Sequence, residues 1–416
     1  MEGKRLLERL RLTNFLSYGP EGAEIDLQPL NVLIGPNGSG KSNLIEALSV
    51  LKAAPTDLEP AIRAAGGIAE LCWKGGGAGE ARGPILACVA RRPPWVRRSG
   101  LLRRGQGTSA LAYELALNPI SISRGEAWFT YEVIEDKTVG NNPPQRYYSE
   151  AAGEPAKILV RRVQDGDVRG ELQEMSWENM DPTQSILSQR KDPDQYPELT
   201  HLGQAFSQLY FFRNPNFGRQ SPLRGPQRAD LPRGFLLEDG SNLGMVLNQL
   251  LSQPATKRVL LDRLKQFDPD LEDIVTSVVA GTVETVFHER GLSGPIPSTR
   301  LSDGTLRYLC LLTILCNPEP PPLVCIEDPE LGLHPDILCR VGELLIEASQ
   351  RTQLIVTTHS DTLVSAFSEI PEAVVVCEKG KTGTSLRRLE REPLKEWLEK
   401  YSLGELWSMG ETGGNP

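Results

Sequence analysis

Gly35-Pro36-Asn37-Gly38-Ser39-Gly40-Lys41-Ser42 carries the spacing GxxxxGK[ST], and its neighbours give that spacing its meaning. Leu30 to Ile34, directly before it, is a short apolar run of strand character. Directly after it, Leu44, Ile45, Ala47, Leu48 and Leu51 recur at helical spacing and stop before Ala54-Pro55. Glycines in such a strand-to-helix loop let successive backbone N–H groups curl toward phosphate oxygens, and the helix beginning near Lys41 adds the positive end of its dipole. In this setting Lys41 reaches the β and γ phosphates and Ser42 offers its hydroxyl to Mg²⁺, so ATP with Mg²⁺ is the expected ligand pair.

A second half of the site is expected at the ends of other strands. Leu323-Val324-Cys325-Ile326 is apolar and ends in Glu327-Asp328, followed by Pro329-Glu330-Leu331-Gly332-Leu333-His334-Pro335. In a parallel sheet the ligand lies at the carboxyl ends of the strands, so these acids and the phosphate loop can converge. Glu327 is then a magnesium ligand, and Asp328 orients or deprotonates the attacking water. Ile355-Val356-Thr357-Thr358-His359-Ser360 closes another buried strand with His359 at the corresponding end, a candidate sensor of the γ phosphate. Leu301-Ser302-Asp303-Gly304-Thr305-Leu306-Arg307 opens a helix that runs through Leu315. Ser302 is a good N-cap and Gly304 leaves the helix end open to an anion. Capping alone accounts for Ser-Asp-Gly, and a functional role requires this helix end to face the ATP of another subunit.

Further from the loop, the chain of 416 residues is too long for one small core. Alternating segments at Leu111 to Leu117, Ala127 to Ile134 and Lys157 to Val163 read as an antiparallel sheet. Helical spacing takes over from about Asp181 to Gly291, as in Leu243, Val246, Leu247, Leu250 and Leu251. After that, near-continuous apolar strands alternate with amphipathic helices, which implies a parallel sheet covered on both faces. The expectation is an α/β P-loop fold with a mixed central sheet, an antiparallel β subdomain and a helical insertion. Its divisions are residues 1–180 (phosphate loop and β subdomain), 181–291 (helical insertion), 292–392 (acidic strand and histidine) and 393–416 (a short helix and a fraying tail).

Composition narrows the function classes. At 39% hydrophobic and 24% charged, no stretch approaches the roughly 18 apolar residues needed to cross a bilayer, and the N-terminal residues lack a signal-peptide core. A cytoplasmic protein without membrane contact is expected. Seven cysteines without a CxxC pair, mostly within apolar runs, read as free buried thiols. A net charge of −9 excludes a uniformly basic nucleic-acid coat, although six of the fourteen residues from Arg91 to Arg104 are arginine, around Trp95. That cluster is either a solvated loop or a phosphate-backbone contact.

Taken in order, the phosphate loop, LSDGTLR (301–307), IEDPELGLHP (326–335) and TTHS (357–360) resemble the ABC-type ATPases of the SMC/RecF class. The similarity is closest to OLD-type and RecF-like AAA-family ATPases of prokaryotes. The resemblance implies that Ser302 and Gly304 of one subunit close over the nucleotide of another, in a head-to-tail homodimer holding two ATP molecules. It also implies a glutamine near Mg²⁺ and the attacking water. Gln184 and Gln189 lie where the sheet-rich part ends, and Gln189 is preferred. Two departures matter. Many relatives carry Asp then Glu at the acidic strand end, whereas this chain has Glu327 then Asp328, so either Glu330 or a displaced water compensates, or hydrolysis is slow. The coiled-coil arms of SMC proteins are missing, and with about forty residues after Cys377 any nuclease activity is expected from another polypeptide. The expected function is an ATPase whose ATP-driven dimerisation controls DNA engagement or a partner effector, such as a nuclease, in phage defence or DNA maintenance. The alternative is a slow-turnover, ATP-gated scaffold that regulates a separate nuclease or toxin subunit. A transporter nucleotide-binding subunit fits the EDPE-LHP segment less well.

Overall fold

Five apolar runs, four of five residues and one of seven, become parallel neighbours in one sheet. In order across the sheet these are Leu209–Arg213, Leu323–Glu327, Gln353–Thr357, Leu30–Ile34 and Val374–Gly380, with Gly383–Arg388 added antiparallel at the edge. The computed structural model describes residues 3–75, 83–91, 110–122, 125–137, 144–151, 154–164, 167–176, 180–213 and 215–414. Side chains along each core strand alternate between two hydrophobic cores. Leu33, Cys325, Ile355 and Val375 face one core, and Val32, Ile326, Val356 and Val376 face the other. Burial on both faces is why these strands read as continuous apolar runs rather than alternating ones.

The first core lies between this sheet and an eight-stranded antiparallel sheet. That sheet runs in the order Ala23–Asp26, Leu7–Thr13, Ile85–Arg91, Ala110–Ile122, Gly125–Asp136, Arg146–Ala151, Glu154–Gln164 and Asp167–Met175. The helix Lys41–Ala53 fills the space between the two sheets with Leu44, Ile45, Leu48 and Leu51. The second core is closed by helices Leu243–Leu251, Asp303–Leu315 and Pro335–Ala348.

Two expectations need correction. Residues 181–291 are not purely a helical insertion. The stretch does contain helices Pro197–Ser207, Leu243–Leu251 and Pro254–Phe267. It also supplies the core strand Leu209–Arg213 and an antiparallel hairpin, Leu271–Val279 with Thr282–Glu289, turned by Ala280 and Gly281 at positive φ. Within the sheet, Leu30–Ile34 sits between Gln353–Thr357 and Val374–Gly380, which puts the phosphate-loop strand beside the strands of the later segment. The end expected to fray is packed through Gly414. Trp407 is buried and donates from Nε1 to the Gly414 carbonyl, and the Gly414 N–H donates to Glu378 Oε1 at 2.8 Å.

The cysteines are free, and five of them (Cys72, Cys88, Cys310, Cys325 and Cys377) are buried, with Cys339 exposed. No helix among the described residues is long and apolar enough to cross a membrane. Of the arginine-rich cluster only Arg91 is described, paired with Glu8, and Arg92 to Arg104 lie outside the described residues.

Candidate functional site

The glycine loop joins the strand Leu30–Ile34 to the helix Lys41–Ala53, and its shape depends on backbone that only glycine adopts freely. Gly35 has φ +143°, and a Cβ there would lie 2.2 Å from the Cys377 carbonyl oxygen. A side chain built on Gly38 would meet nothing within 4 Å, so the crown of the loop is open to a ligand. The loop is held from behind. Tyr18 donates to the Gly40 carbonyl at 3.0 Å, and Thr384 donates to the Ser39 carbonyl at 2.9 Å. Lys41 is buried, and its ammonium donates to the Gly35 and Pro36 carbonyls at 2.6 and 3.0 Å. Burial pulls its pKa below the ordinary lysine value, while the nearby Cys377, Asp328 and Glu330 pull the other way.

Parallel pairing brings the remaining strand ends to this loop. Glu327 is in register with Thr357 on one side and Arg213 on the other. Its carboxyl is raised by burial, an effect opposed by the Arg213 guanidinium and by a hydrogen bond with Ser42. Asp328 lies at φ +44°, a left-handed conformation that Asp tolerates better than most residues. Its N–H donates to the Thr357 carbonyl and hydroxyl oxygens at 3.1 and 3.2 Å, and the Thr357 hydroxyl is 3.1 Å from Asp328 Oδ1. Glu330 Oε1 accepts the Thr358 hydroxyl at 2.8 Å and the His359 N–H at 2.7 Å. Its Oε2 is buried and takes no hydrogen bond among the described residues. Burial raises the Glu330 carboxyl, opposed by the His359 N–H and then other hydrogen bonds. Burial and then the Lys41 charge hold His359 below its ordinary value, so the imidazole is neutral at neutral pH.

The expected residues therefore divide. Lys41, Ser42, Glu327, Asp328, Glu330 and His359 are gathered around one loop. Glu330 is committed to bracing Thr358 and His359, which ties the acidic segment to the histidine segment. Ser302 caps the helix Asp303–Leu315 by accepting the Thr305 N–H at 3.0 Å, and it stays exposed. Gly304 packs against the acidic segment so closely that a Cβ there would be 2.7 Å from the Gly332 carbonyl oxygen. Asp303 is clamped by the buried Arg224, which also donates to the Leu301 carbonyl.

Gln189 is not brought to this site. Its Oε1 accepts the Asp181 N–H at 2.9 Å and its Nε2 donates to the Gln184 carbonyl at 3.0 Å, because the short turn needs partners for those groups. Gln184 bonds Asp57 and the Leu58 N–H, beyond the far end of the helix Lys41–Ala53. A 13-residue helix sets that end about 20 Å from Lys41. Sequence reasoning missed Arg213, Thr357 as a bracket for Asp328, and Thr358 as a bracket for Glu330. The polar residues ending the apolar runs FFR and IVTT were the available signal.

The donor set suits Mg²⁺. Ser42 and Glu327 offer hard oxygen donors already in contact, and Mg²⁺ commonly binds through one or two carboxylates together with substrate phosphates and water. No cluster of three or more His, Cys, Asp or Glu arranged for a metal occurs among the described residues.

Comparison with known proteins agrees with this geometry. The sequence profile of the family described as "AAA domain, putative AbiEii toxin, Type IV TA system" matches residues 124–365, more than half of the chain, and a second profile, "AAA domain", matches residues 9–56. The chain is 54% identical over 46 residues to the DNA replication and repair protein RecF of Renibacterium salmoninarum, a match covering 11% of each protein. It is 38% identical over 87 residues to the Old nuclease of Escherichia phage P2, covering 21% of this chain and 14% of that protein. The matches thus span a small part of these relatives. Among solved structures, an Smc head bound to the C-winged helix domain of ScpA superposes with a TM-score of 0.54 at 14% identity, covering 94% of this chain and 99% of that one. A Pyrococcus furiosus Smc head with an extended coiled coil, bound to the C-terminal domain of ScpA, gives 0.51 at 12% identity, covering 95% and 99%. At these identities the likeness establishes the fold. With the family profile matched over more than half of its length and the fold of an Smc head, the chain belongs to the AAA-domain family of that description, as an SMC/RecF-like and OLD-like ATPase domain.

Proposed function

We propose that this chain binds ATP with Mg²⁺ in the loop Gly35 to Ser42, hydrolyses it, and uses ATP-dependent head-to-tail dimerisation to control DNA engagement or a partner effector. The observation that carries the reading is the gathering of Lys41, Ser42, Glu327, Asp328 and His359 around one loop whose crown, at Gly38, is open. Lys41, now bonded to two loop carbonyls, turns its ammonium to the β and γ phosphates when they arrive. Ser42 and Glu327 hold Mg²⁺, which supplies neutralisation of phosphate charge. Asp328, steadied by Thr357, orients the attacking water and accepts its proton, and His359 contacts the γ phosphate. Glu330 holds His359 in place through the backbone N–H. The exposed Ser302 and the adjoining Gly304 form the surface that closes over the nucleotide of a second copy.

The test is Asp328→Asn. ATP binding measured by calorimetry should persist, turnover should fall by about 10² to 10⁴, and sedimentation should show an ATP-bound dimer. Normal turnover in this variant, with loss in Glu327→Gln or Glu330→Gln, moves the base to another carboxylate. One observation favours the slow-turnover scaffold as a second reading: Glu327 is already ion-paired with Arg213. Steady-state turnover with and without DNA separates the two readings.

A further inference from the structure

We propose that Arg213 is a specificity-determining residue of this site, a tethered cation that competes with Mg²⁺ for Glu327 and sets how much Mg²⁺ nucleotide binding requires. The inference rests on the ATP-binding reading above. Arg213 ends the strand Leu209–Arg213 and stands in register with Glu327, so its side chain leaves the sheet beside that carboxylate. Its Nε lies 2.9 Å from Glu327 Oε1, and a terminal nitrogen lies 3.0 Å from Glu46 Oε2. Glu46 is one helical turn beyond Ser42, on the same face of the helix Lys41–Ala53. The guanidinium also sits over the Phe211 ring, 5.1 Å from its centre. Its guanidinium is therefore seated between two carboxylates and a ring, although the residue keeps an exposed face.

The oxygens suited to Mg²⁺ are those of Ser42 and Glu327, and Arg213 already claims one of them. A guanidinium does not deprotonate at any working pH, so the competing charge is permanent. A divalent ion on Glu327 must either displace this ion pair or share the carboxylate with a fixed positive charge a few ångströms away in a partly buried site. Either effect weakens the ion by roughly tenfold or more. Glu46 gives the guanidinium a second seat once Glu327 is taken. A cleft lined by Phe211, Pro215, Asn216, Pro222 and Glu238 opens beside it, which leaves room for the side chain to move. The same charge serves nucleotide binding when Mg²⁺ is scarce, because it neutralises Glu327 beside incoming phosphates.

The experiment measures ATP affinity by calorimetry in EDTA and across a Mg²⁺ titration, on the full chain. Arg213→Gln should lower the Mg²⁺ concentration at half-effect by roughly tenfold and weaken ATP binding in EDTA. Arg213→Lys, which keeps the charge, should stay near wild type. Because Arg213→Gln leaves Glu46 without its partner, the substitution is repeated in a Glu46→Gln background, where the same downward shift relative to the Glu46→Gln parent is expected. A half-point within about twofold of its parent in both backgrounds, with ATP still bound, overturns the inference and leaves the ATP-binding reading intact. A wild-type chain that binds no ATP at any Mg²⁺ concentration overturns that reading instead.

Discussion

Replacing Thr357 with Val tests whether Asp328 works because it is held. Thr357 is buried at 1% exposure and ends the strand Gln353–Thr357. Its hydroxyl lies 3.1 Å from Asp328 Oδ1, while the Asp328 N–H is bonded to the Thr357 backbone carbonyl as well as to the hydroxyl. Valine keeps the β-branched shape and the sheet ladder and removes only the hydroxyl, so no backbone group loses its last partner. A hydrogen bond to a charged group contributes about 1.5 to 3 kcal/mol, and water reaching the partly exposed carboxylate recovers part of it. A net loss of about 1 to 2 kcal/mol in positioning the base corresponds to a fall of roughly five- to thirtyfold in turnover. The assay is phosphate release at saturating ATP and Mg²⁺, alongside ATP affinity by calorimetry and a thermal melt. Affinity should be unchanged and turnover reduced. Wild-type turnover in a folded Thr357→Val protein would refute the claim that this bracket positions Asp328, and a matching loss of ATP affinity would show that the hydroxyl serves binding instead.

Lys41→Ala should abolish ATP binding in calorimetry, because no other described cation reaches into the loop from its own helix. Ser302→Arg should bind ATP yet fail to turn over. Mixed with Lys41→Ala it should recover part of the activity, since one composite site is then intact, and full activity of Ser302→Arg alone would reduce that turn to a helix cap. Stability should fall with rising pH through Glu132, whose buried carboxyl is pushed up to about 7 from an ordinary value of 4.5. The folded chain keeps a proton there that the unfolded chain has released, so stability is fullest below 4.5 and is lost as pH rises through 7, by on the order of 3 kcal/mol. Glu132→Gln should flatten that part of the pH profile in denaturant melts. Its amide can still accept the Ile186 N–H and donate to Tyr113 in place of the present bonds.

The core sheet was legible wherever a strand carried its own punctuation. Leu30 to Ile34 runs into a glycine loop, Leu323 to Ile326 into paired acids, and Ile355 to Val356 into Thr-Thr-His, so apolar length and chemistry agreed. Leu209–Arg213 has the same five-residue length and comparable burial, yet it lies among helices, and nothing local says that LYFFR pairs with LVCIE. Its place in the sheet is a long-range fact, decided by which edge of the acidic strand remained free. The hairpin from Leu271 to Glu289 was a different kind of miss. LEDIVTSVV and TVETVFHE alternate around Ala280-Gly281, and a two-residue turn with both φ positive is the geometry that joins twisted antiparallel strands.

The same distinction runs through the site. A phosphate loop is a local object, because its donors are consecutive backbone N–H groups and its lysine sits on the adjoining helix, so eight residues suffice to reveal it. The groups that set the properties of the acids come from across the sheet. Thr357 and Arg213 flank Glu327 in register, from strands that are far apart in sequence, and a slip of one residue in either pairing would turn the side chain to the other face. Motif spacing names the acids without naming their neighbours. Whether Glu327 meets the nucleotide as a free magnesium ligand or as half of an ion pair depends on Arg213, and the residue that decides it belongs to none of the motifs.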